Sequence, residues 1–486
     1  MPRLSAFVLL AALTVGASSC RDEPEGTLKV MVIGGEPKLR DPAAGPLSVP
    51  DQVLLQNVAQ GLVRFDAAGN IVSGLAERWT VSDDGLSYIF RLASADWSDG
   101  RKITARDVAR LMKRELGSRS RNGLKDALGA VEDVVAMTDR VIEIRLLAPR
   151  PALLSLLAQP EMAILRNGRG TGPFTAARAP GGNLKLTREI VSPDEETTTR
   201  QEVLLGGADS AGAIKAFAGA NIDVVLGGTF ADLPLTKRVK LPRNTLRFDP
   251  ASGLFGLVPT TSGGPLDKPE VRHLLSEALE RDRFIAALDV PGLAARATLL
   301  EPGLDGLPAP SAPAWTATPY AERISELQAR ADRLFPKAPK PAIRVALPEG
   351  TGAGLLFQLL QRDWGRLGFT VERAKTAADA DFALVDEVAP SSSPSWFLRY
   401  FHCGAVPVCS PEADRLMDAA RQSPVPAQRY ALLGQAAAQI DEAQLFLPIT
   451  APVRWSLVSD RIENFAGNRY ARHTLTDLEA KPDNGG

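Results

Sequence analysis

Between residues 321 and 373, helix and strand periodicities alternate, and this restricts the fold more than any other stretch. Apolar spacing predicts a helix over 321–334, a strand over 343–347, a helix over 353–366 closed by Gly368, and a strand over 369–373. Such alternation builds an α/β lobe, because each helix crosses back over the sheet and buries its apolar face on it. At 486 residues the chain is too long for one ordinary domain and suits two or three lobes. Its 45% hydrophobic and 23% charged residues allow a sizeable core. The 56 Lys and Arg nearly balance the 57 Asp and Glu, and no basic run offers a footprint for nucleic acid, so no nucleic-acid partner is expected.

Other elements are legible. Leu28, Val30 and Val32 alternate as an early strand before a Gly34-Gly35 turn, and residues 52–63 carry helical spacing. Tyr88, Phe90 and Leu92 share one face of a strand, as do Ile142, Ile144 and Leu146. Thr104 with Asp107 reads as a helix cap before Val108, Leu111 and Met112. Asp267, Pro269 and Glu270 start a helix carrying Val271, Leu274, Leu275 and Leu279 inward. The Pro- and Ala-rich segment 301–319 reads as a surface connection, helices follow near 411–421 and 427–442, and Leu447 to Leu457 reads as a strand. No internal repeat is present.

The first residues are of another kind. Arg3, an apolar run from Ala6 to Val15 and the small residues Gly16-Ala17-Ser18-Ser19 form a secretory signal peptide over 1–19. The run is roughly ten residues, against the ~20 needed to span a bilayer. Cys20 directly after it resembles a bacterial lipobox cysteine, with Ala17 where leucine is usual; plain secretion is the alternative. Cys403 and Cys409 enclose Gly404 and Pro407 and can close a small disulfide loop worth roughly 2 kcal/mol. A metal site through His402 is the other reading, and its spacing matches no standard zinc pattern.

Catalytic signatures are missing: there is no HExxH, GxxxxGK[ST] or GxSxG. Gly168-Arg169-Gly170-Thr171-Gly172 resembles a phosphate loop, but Pro173 and a strand-like Phe174-Thr175 follow, so it reads as a turn. His273, His402 and His473 cannot form a cluster along the chain. An enzyme, a metal and a cofactor are therefore not expected.

One long stretch is specific. Gly74-Leu75-Ala76-Glu77-Arg78-Trp79 through Tyr88-Ile89-Phe90-Arg91-Leu92 is followed by Trp97-Ser98-Asp99-Gly100 and Ile103-Thr104-Ala105-Arg106-Asp107-Val108. It closely resembles family 5 extracellular solute-binding proteins, the dipeptide- and oligopeptide-binding components of bacterial ABC transporters. Leu39-Arg40-Asp41-Pro42, Gly170-Thr171-Gly172-Pro173-Phe174, the segment Val271-Arg272-His273 through Glu280-Arg281-Asp282-Arg283, and Leu447-Pro448-Ile449 resemble further family motifs in the same order. The resemblance implies an α/β, two-lobed periplasmic-binding-protein fold (type II, peptide-binding class) with an extra small α+β domain. It places the near lobe at 20–48, 167–254 and 456–486, the extra domain at 49–166 and the far lobe at 255–455. It further implies a peptide or small-molecule ligand held by hinge closure. An ABC permease and ATPase complex would be the partner, with a periplasmic or envelope location and membrane contact through the lipid anchor alone. An envelope sensory or scaffold lipoprotein is the alternative; a secreted hydrolase is the third reading.

In the pocket the sequence departs from the family. Peptide-binding relatives commonly place an Asp-Pro pair before a Phe-Leu segment, and the carboxylate holds the peptide's α-ammonium. This chain reads Ser393-Pro394-Ser395-Trp396-Phe397-Leu398, with Asp386 and Glu387 upstream at a spacing that does not fit, and Val258-Pro259 where many relatives carry asparagine. A buried ammonium without an anionic partner is costly, so weak binding of unmodified dipeptides is expected. Glu36 matches an acidic position that faces the cleft in some relatives, an exposed turn carboxylate being the bland reading. Trp396, Phe397, Arg399 and Tyr400 are candidates to stack on and grip an amphipathic solute with a negative end, core packing being the commoner fate of Trp and Phe.

Overall fold

A computed structural model describes residues 26–191 and 198–481; the signal-peptide reading and Cys20 lie outside the described residues. Strand β1 (Leu28–Ile33) buries alternate side chains. Ser48 caps α1 (Val49–Val58), its hydroxyl accepting from the Asp51 amide. Sequence spacing puts this helix at 52–63, but it starts at the cap and stops at Val58. Its last carbonyls are taken by another segment: the Gly172 amide bonds Val58 O and the Phe174 amide bonds Asn57 O, both at 3.0 Å.

The hairpin β2 (Val63–Phe65) and β3 (Ile71–Ser73) leads into β4 (Ala76–Val81), β5 (Ser87–Leu92), α2 (Ala105–Leu116), β6 (Val131–Thr138) and β7 (Val141–Leu146). These strands form an antiparallel sheet in the order β4-β5-β7-β6. Tyr88, Phe90 and Leu92 point inward onto α2, which Thr104 caps, and α3 (Leu153–Leu157) packs into the same core. This is the extra domain.

Next come β8 (Thr175–Arg178), β9 (Leu184–Val191), β10 (Thr198–Ala208), α4 (Ser210–Ala218), β11 (Val224–Thr229), α5 (Leu233–Thr236) and β12 (Leu246–Phe248). Strand β13 (Gly253–Pro259) opens a different sheet, followed by α6 (Pro269–Glu277) and α7 (Arg281–Leu288). The single helix expected to carry Leu279 is broken at 278–280, where the Asp363 carboxylate accepts from the Glu280 amide at 2.8 Å; Leu279 stays buried between the two pieces. Arg281 donates to Pro448 O at 2.7 Å and to Ser276 O at 2.9 Å, tying this break to the late Leu-Pro segment. Burial pushes its guanidinium down to about 9.

The alternation that dominates the sequence then unfolds as α8 (Tyr320–Leu334), β14 (Ala342–Ala346), α9 (Thr351–Arg366), β15 (Thr370–Arg373) and β16 (Phe382–Val388). Helices α10 (Pro394–Arg399), α11 (Pro411–Gln422) and α12 (Pro426–Glu442) precede β17 (Leu447–Pro448), β18 (Arg454–Val458), β19 (Ile462–Glu463) and β20 (Glu479–Ala480).

The near lobe is built on a seven-stranded sheet, β12-β18-β11-β1-β10-β9-β8, and the far lobe on a five-stranded one, β15-β14-β16-β13-β17. Residues 447–457 are thus not one strand. Leu447 and Pro448 pair with β13, while β18 pairs with β11 and β12, and the chain between them crosses from lobe to lobe. The other crossing runs from Phe248 to Gly253. Because Thr229 pairs with Arg454, the carboxyl ends of β11 and of its parallel neighbour β1 face the far lobe. Apolar packing continues across the join: Val225, Trp455 and Leu457 share one buried cluster with Phe255, Leu275 and Trp364, and Phe230 meets Phe255 edge-on at 4.8 Å.

A Cβ at position 172 would lie 2.6 Å from Asn57 O, with backbone rather than a yielding side chain in the way. Gly172→Ala is therefore expected to lower unfolding stability by about 1–3 kcal/mol, the usual cost of overpacking. Urea denaturation checks this; an unchanged midpoint would mean that α1 and the 170–174 segment do not pack as described.

Candidate functional site

Where the chain crosses between lobes, polar groups pin both strands. Ser252 is buried; its hydroxyl donates to the buried Glu301 carboxylate, which is also ion-paired with Arg296. The Arg296 guanidinium donates to Gly253 O at 3.0 Å, and Arg469 of the near lobe reaches Ser252 Oγ at 3.4 Å. Gly253 has φ +152°, and a Cβ there would run into the Glu387 carbonyl. Close by, His473 Nε2 lies 3.1 Å from Asp249 Oδ2, and the Asn468 amide donates to Asp249 Oδ1 at 3.0 Å.

The far-lobe wall of the cleft begins at the carboxyl end of β16. There the side chains of Asp386 and Glu387 leave on opposite sides of the strand. Asp386 accepts from Arg454 Nη1 at 2.8 Å, and Arg454 also donates to Asp386 O at 3.0 Å, so this pair bridges the two lobes. Burial raises the Asp386 pKa against the pull of Arg454. Glu387 is exposed and makes no side-chain hydrogen bond among the described residues. Lost bulk water raises its pKa first, the Asp386 charge adds to the rise, and Arg454 and Arg399 oppose it. Arg399 on α10 also lacks a hydrogen-bond partner among the described residues. Burial lowers its pKa, while Asp126 of the extra domain and Glu387 act to raise it. Burial raises the Tyr400 hydroxyl, and the Glu387 charge pushes the same way. Glu387 thus acts electrostatically on both Arg399 and Tyr400, and none of the three side chains makes a hydrogen bond among the described residues.

The near-lobe wall follows β1. Glu36 is exposed beyond its carboxyl end, and it lines a cavity of about 910 Å³ with Lys38, Leu54, Arg169, Phe174 and Arg178. No far-lobe residue lines that cavity. The structure therefore does not bring Glu36 into one chamber with Trp396, Arg399 and Tyr400.

The candidates from the Phe-Leu segment divide. Phe397 is 0% exposed in a cluster with Leu254, Val258 and Phe446, so it offers no surface to a ligand, and Val258 is equally a core residue. Trp396 is half-buried with its ring edge-on to Phe397 at 5.0 Å. Ser393 starts α10 and makes no side-chain capping bond. Glu387, set aside on spacing, is the acid that the fold brings to this wall. The signal was an acidic pair at the carboxyl end of a strand, where open α/β sheets bind ligands. Cys403 and Cys409 come together, with Cα atoms 5.1 Å apart and sulfur atoms 2.19 Å apart.

The sequence profile of the bacterial extracellular solute-binding proteins, family 5 (middle), matches residues 70–403. The chain belongs to this family. A probable di/tripeptide-binding protein 5 from Pseudomonas aeruginosa is 23% identical over 86% of this chain and 89% of its own length. The Escherichia coli murein tripeptide-binding protein MppA superposes with a TM-score of 0.79 at 19% identity, covering 94% of this chain and 99% of that one. The unliganded open form of that protein gives 0.68 at 18% identity, covering the same 94% and 99%. Fold and family are those of substrate-binding proteins, not of enzymes. In this family 5 protein the extra domain touches the far lobe away from the hinge: Gln159 donates to Pro390 O at 2.9 Å and Arg429 to Pro149 O at 2.7 Å.

The raised pKa of Glu387 makes a signed prediction. Its neutral form is favoured by folding, so its contribution is fully present below the unfolded carboxyl pKa and is lost as pH rises through the folded one. Glu387→Gln should make the solute-free protein more heat-stable than the parent at pH 8, with the gap closing towards pH 4. Thermal melts across that range check it, and a variant less stable at pH 8 would contradict the site's electrostatics.

Proposed function

We propose that this family 5 protein is the lipid-anchored substrate-binding component of an ABC importer, and that it closes on a peptide-like or other amphipathic solute. The observation that carries the ligand reading is the pair of unpartnered opposite charges, Glu387 and Arg399, on the far-lobe wall. A zwitterionic solute satisfies both, its cationic group at Glu387 and its acidic group at Arg399, with Trp396 and Tyr400 beside them. Ser393 stands where peptide-binding relatives commonly place an aspartate, which supports weak binding of unmodified dipeptides. The relatives named for di/tripeptide and murein tripeptide binding support the peptide-like class.

The division into near lobe (20–48, 167–254, 456–486), extra domain (49–166) and far lobe (255–455) is part of the same reading, and the sheet memberships support it except at the joins, where Gly253 already pairs in the far-lobe sheet and Arg454 in the near-lobe one. Helix α1 argues for a boundary further along, since Val53, Leu54 and Val58 pack into the near-lobe core. The Cα spacing of Cys403 and Cys409 lies within the roughly 4.4–6.8 Å that a disulfide spans, which supports a bridge in an oxidising compartment. Among the described residues no helix is long and apolar enough to cross a membrane. The small residues Gly16-Ala17-Ser18-Ser19 before Cys20 support attachment through its acylated thiol, and the family supports transfer of the solute to a permease and ATPase complex.

Mass spectrometry of solutes released by denaturing the purified protein should find a species bearing both charges. Calorimetry should give weak binding across a panel of unmodified dipeptides, and at least tenfold weaker binding of the released solute to Glu387→Gln and to Arg399→Gln. Sub-micromolar dipeptide affinities, or an unaltered Glu387→Gln, would refute this ligand assignment. For the anchor, labelled fatty acid should enter the parent and not Cys20→Ala, which should become soluble, because acyl burial is worth about 0.8 kcal/mol per methylene. Unchanged membrane retention of that variant would exclude it.

A further inference from the structure

The contact between the extra domain and the far lobe brings two arginines together with no carboxylate bonded to either among the described residues. Arg150, after β7, and Arg429, on α12, both donate through Nη1 to the same acceptor, Pro149 O, at 3.1 and 2.7 Å. Those two nitrogens therefore stand no more than about 6 Å apart. Arg429 is 5% exposed; its Nη2 is taken by Ser423 O at 3.1 Å, and its Nε is buried without an acceptor. Neither Arg150 nor Arg429 has an ion pair among the described residues. Burial pushes Arg150 down to about 10, and Arg429 and Arg421 push the same way, with the Tyr430 hydroxyl alone opposing. The carboxylates nearby do not bond Arg150 or Arg429: Asp418 pairs with Arg421 at 3.5 Å on the exposed face of α11, Asp305 acts on Tyr430, and Asp126 acts on Arg399.

Desolvated guanidinium groups this close repel one another, and carbonyl oxygens relieve desolvation without cancelling charge. A small oxyanion would cancel it, and planar guanidinium forks match its geometry. We propose that Arg150, Arg421, Arg429 and Tyr430 form a binding site for a small oxyanion, phosphate-like or carboxylate, at the seam between the extra domain and the far lobe. Arg150 comes from one side of the seam and the other three from the opposite side, so the site is complete only while the two touch. Anion binding then favours the arrangement in which the extra domain and the far lobe touch.

The test uses the full mature protein, stripped of solute, with inorganic phosphate titrated at constant ionic strength. Phosphate is expected to bind saturably by calorimetry and to raise the melting temperature. Arg150→Gln and the exposed Arg421→Gln should each weaken phosphate at least tenfold and abolish the thermal shift. Arg150→Gln should not lower the melting temperature measured without phosphate, because it removes a repulsive charge. Repeating the titration with the released solute bound separates two sources of the anion. Undiminished phosphate binding assigns the site to a free anion, and competition assigns it to an acidic group of the solute. No saturable heat with the parent protein, or equal phosphate binding by the parent and both variants, would overturn the site.

Discussion

Between residues 198 and 481 the backbone passes from one lobe to the other twice, and everything the molecule can do depends on how those two passages are held. They leave adjacent strands of one sheet, β12 and β18, and enter adjacent strands of the next, β13 and β17. A pair of parallel tethers permits rotation about one axis and resists twist and shear. The buried Ser252–Glu301–Arg296 group fixes the far side of this axis, and Arg469 and Asp249 fix the near side. Such a join lets the two lobes approach along one path.

Much of this was legible in the sequence. Helices with a cap and an apolar stripe, such as 105–116, and the alternation over 320–373 follow local rules and fall within a residue or two of expectation. The discrepancies share one cause. Helix α1 stops early because the Gly172 and Phe174 amides take its carbonyls, the helix through Leu279 breaks because Asp363 reaches Glu280, and 447–457 divides because its halves serve different sheets. Each partner lies 80 or more residues away, beyond any periodicity.

The family motifs had a physical meaning that spacing alone does not reveal. Gly170 and Gly172 are small because the end of α1 presses on them, and Arg281 is buried because it holds the late Leu-Pro strand by its carbonyl. These residues secure the frame and leave the ligand open, which is why the resemblance gave the fold before the site. Glu387 illustrates the converse. Its neighbour Asp386 is committed to Arg454 across the hinge, and one step along the strand turns the same chemistry from a structural bond into a free charge.

The seven-stranded sheet also dictates an order of assembly. β1 sits at its middle, flanked by β10 and β11, yet β18, which closes the far side of β11, ends only at Val458. A chain delivered amino end first carries the central strand from the outset but cannot finish the sheet around it until nearly the whole polypeptide has emerged. Non-local pairing of this kind keeps a nascent chain extensible for longer. An export channel that accepts only unfolded polypeptide would meet little resistance from it until its carboxyl end had been threaded.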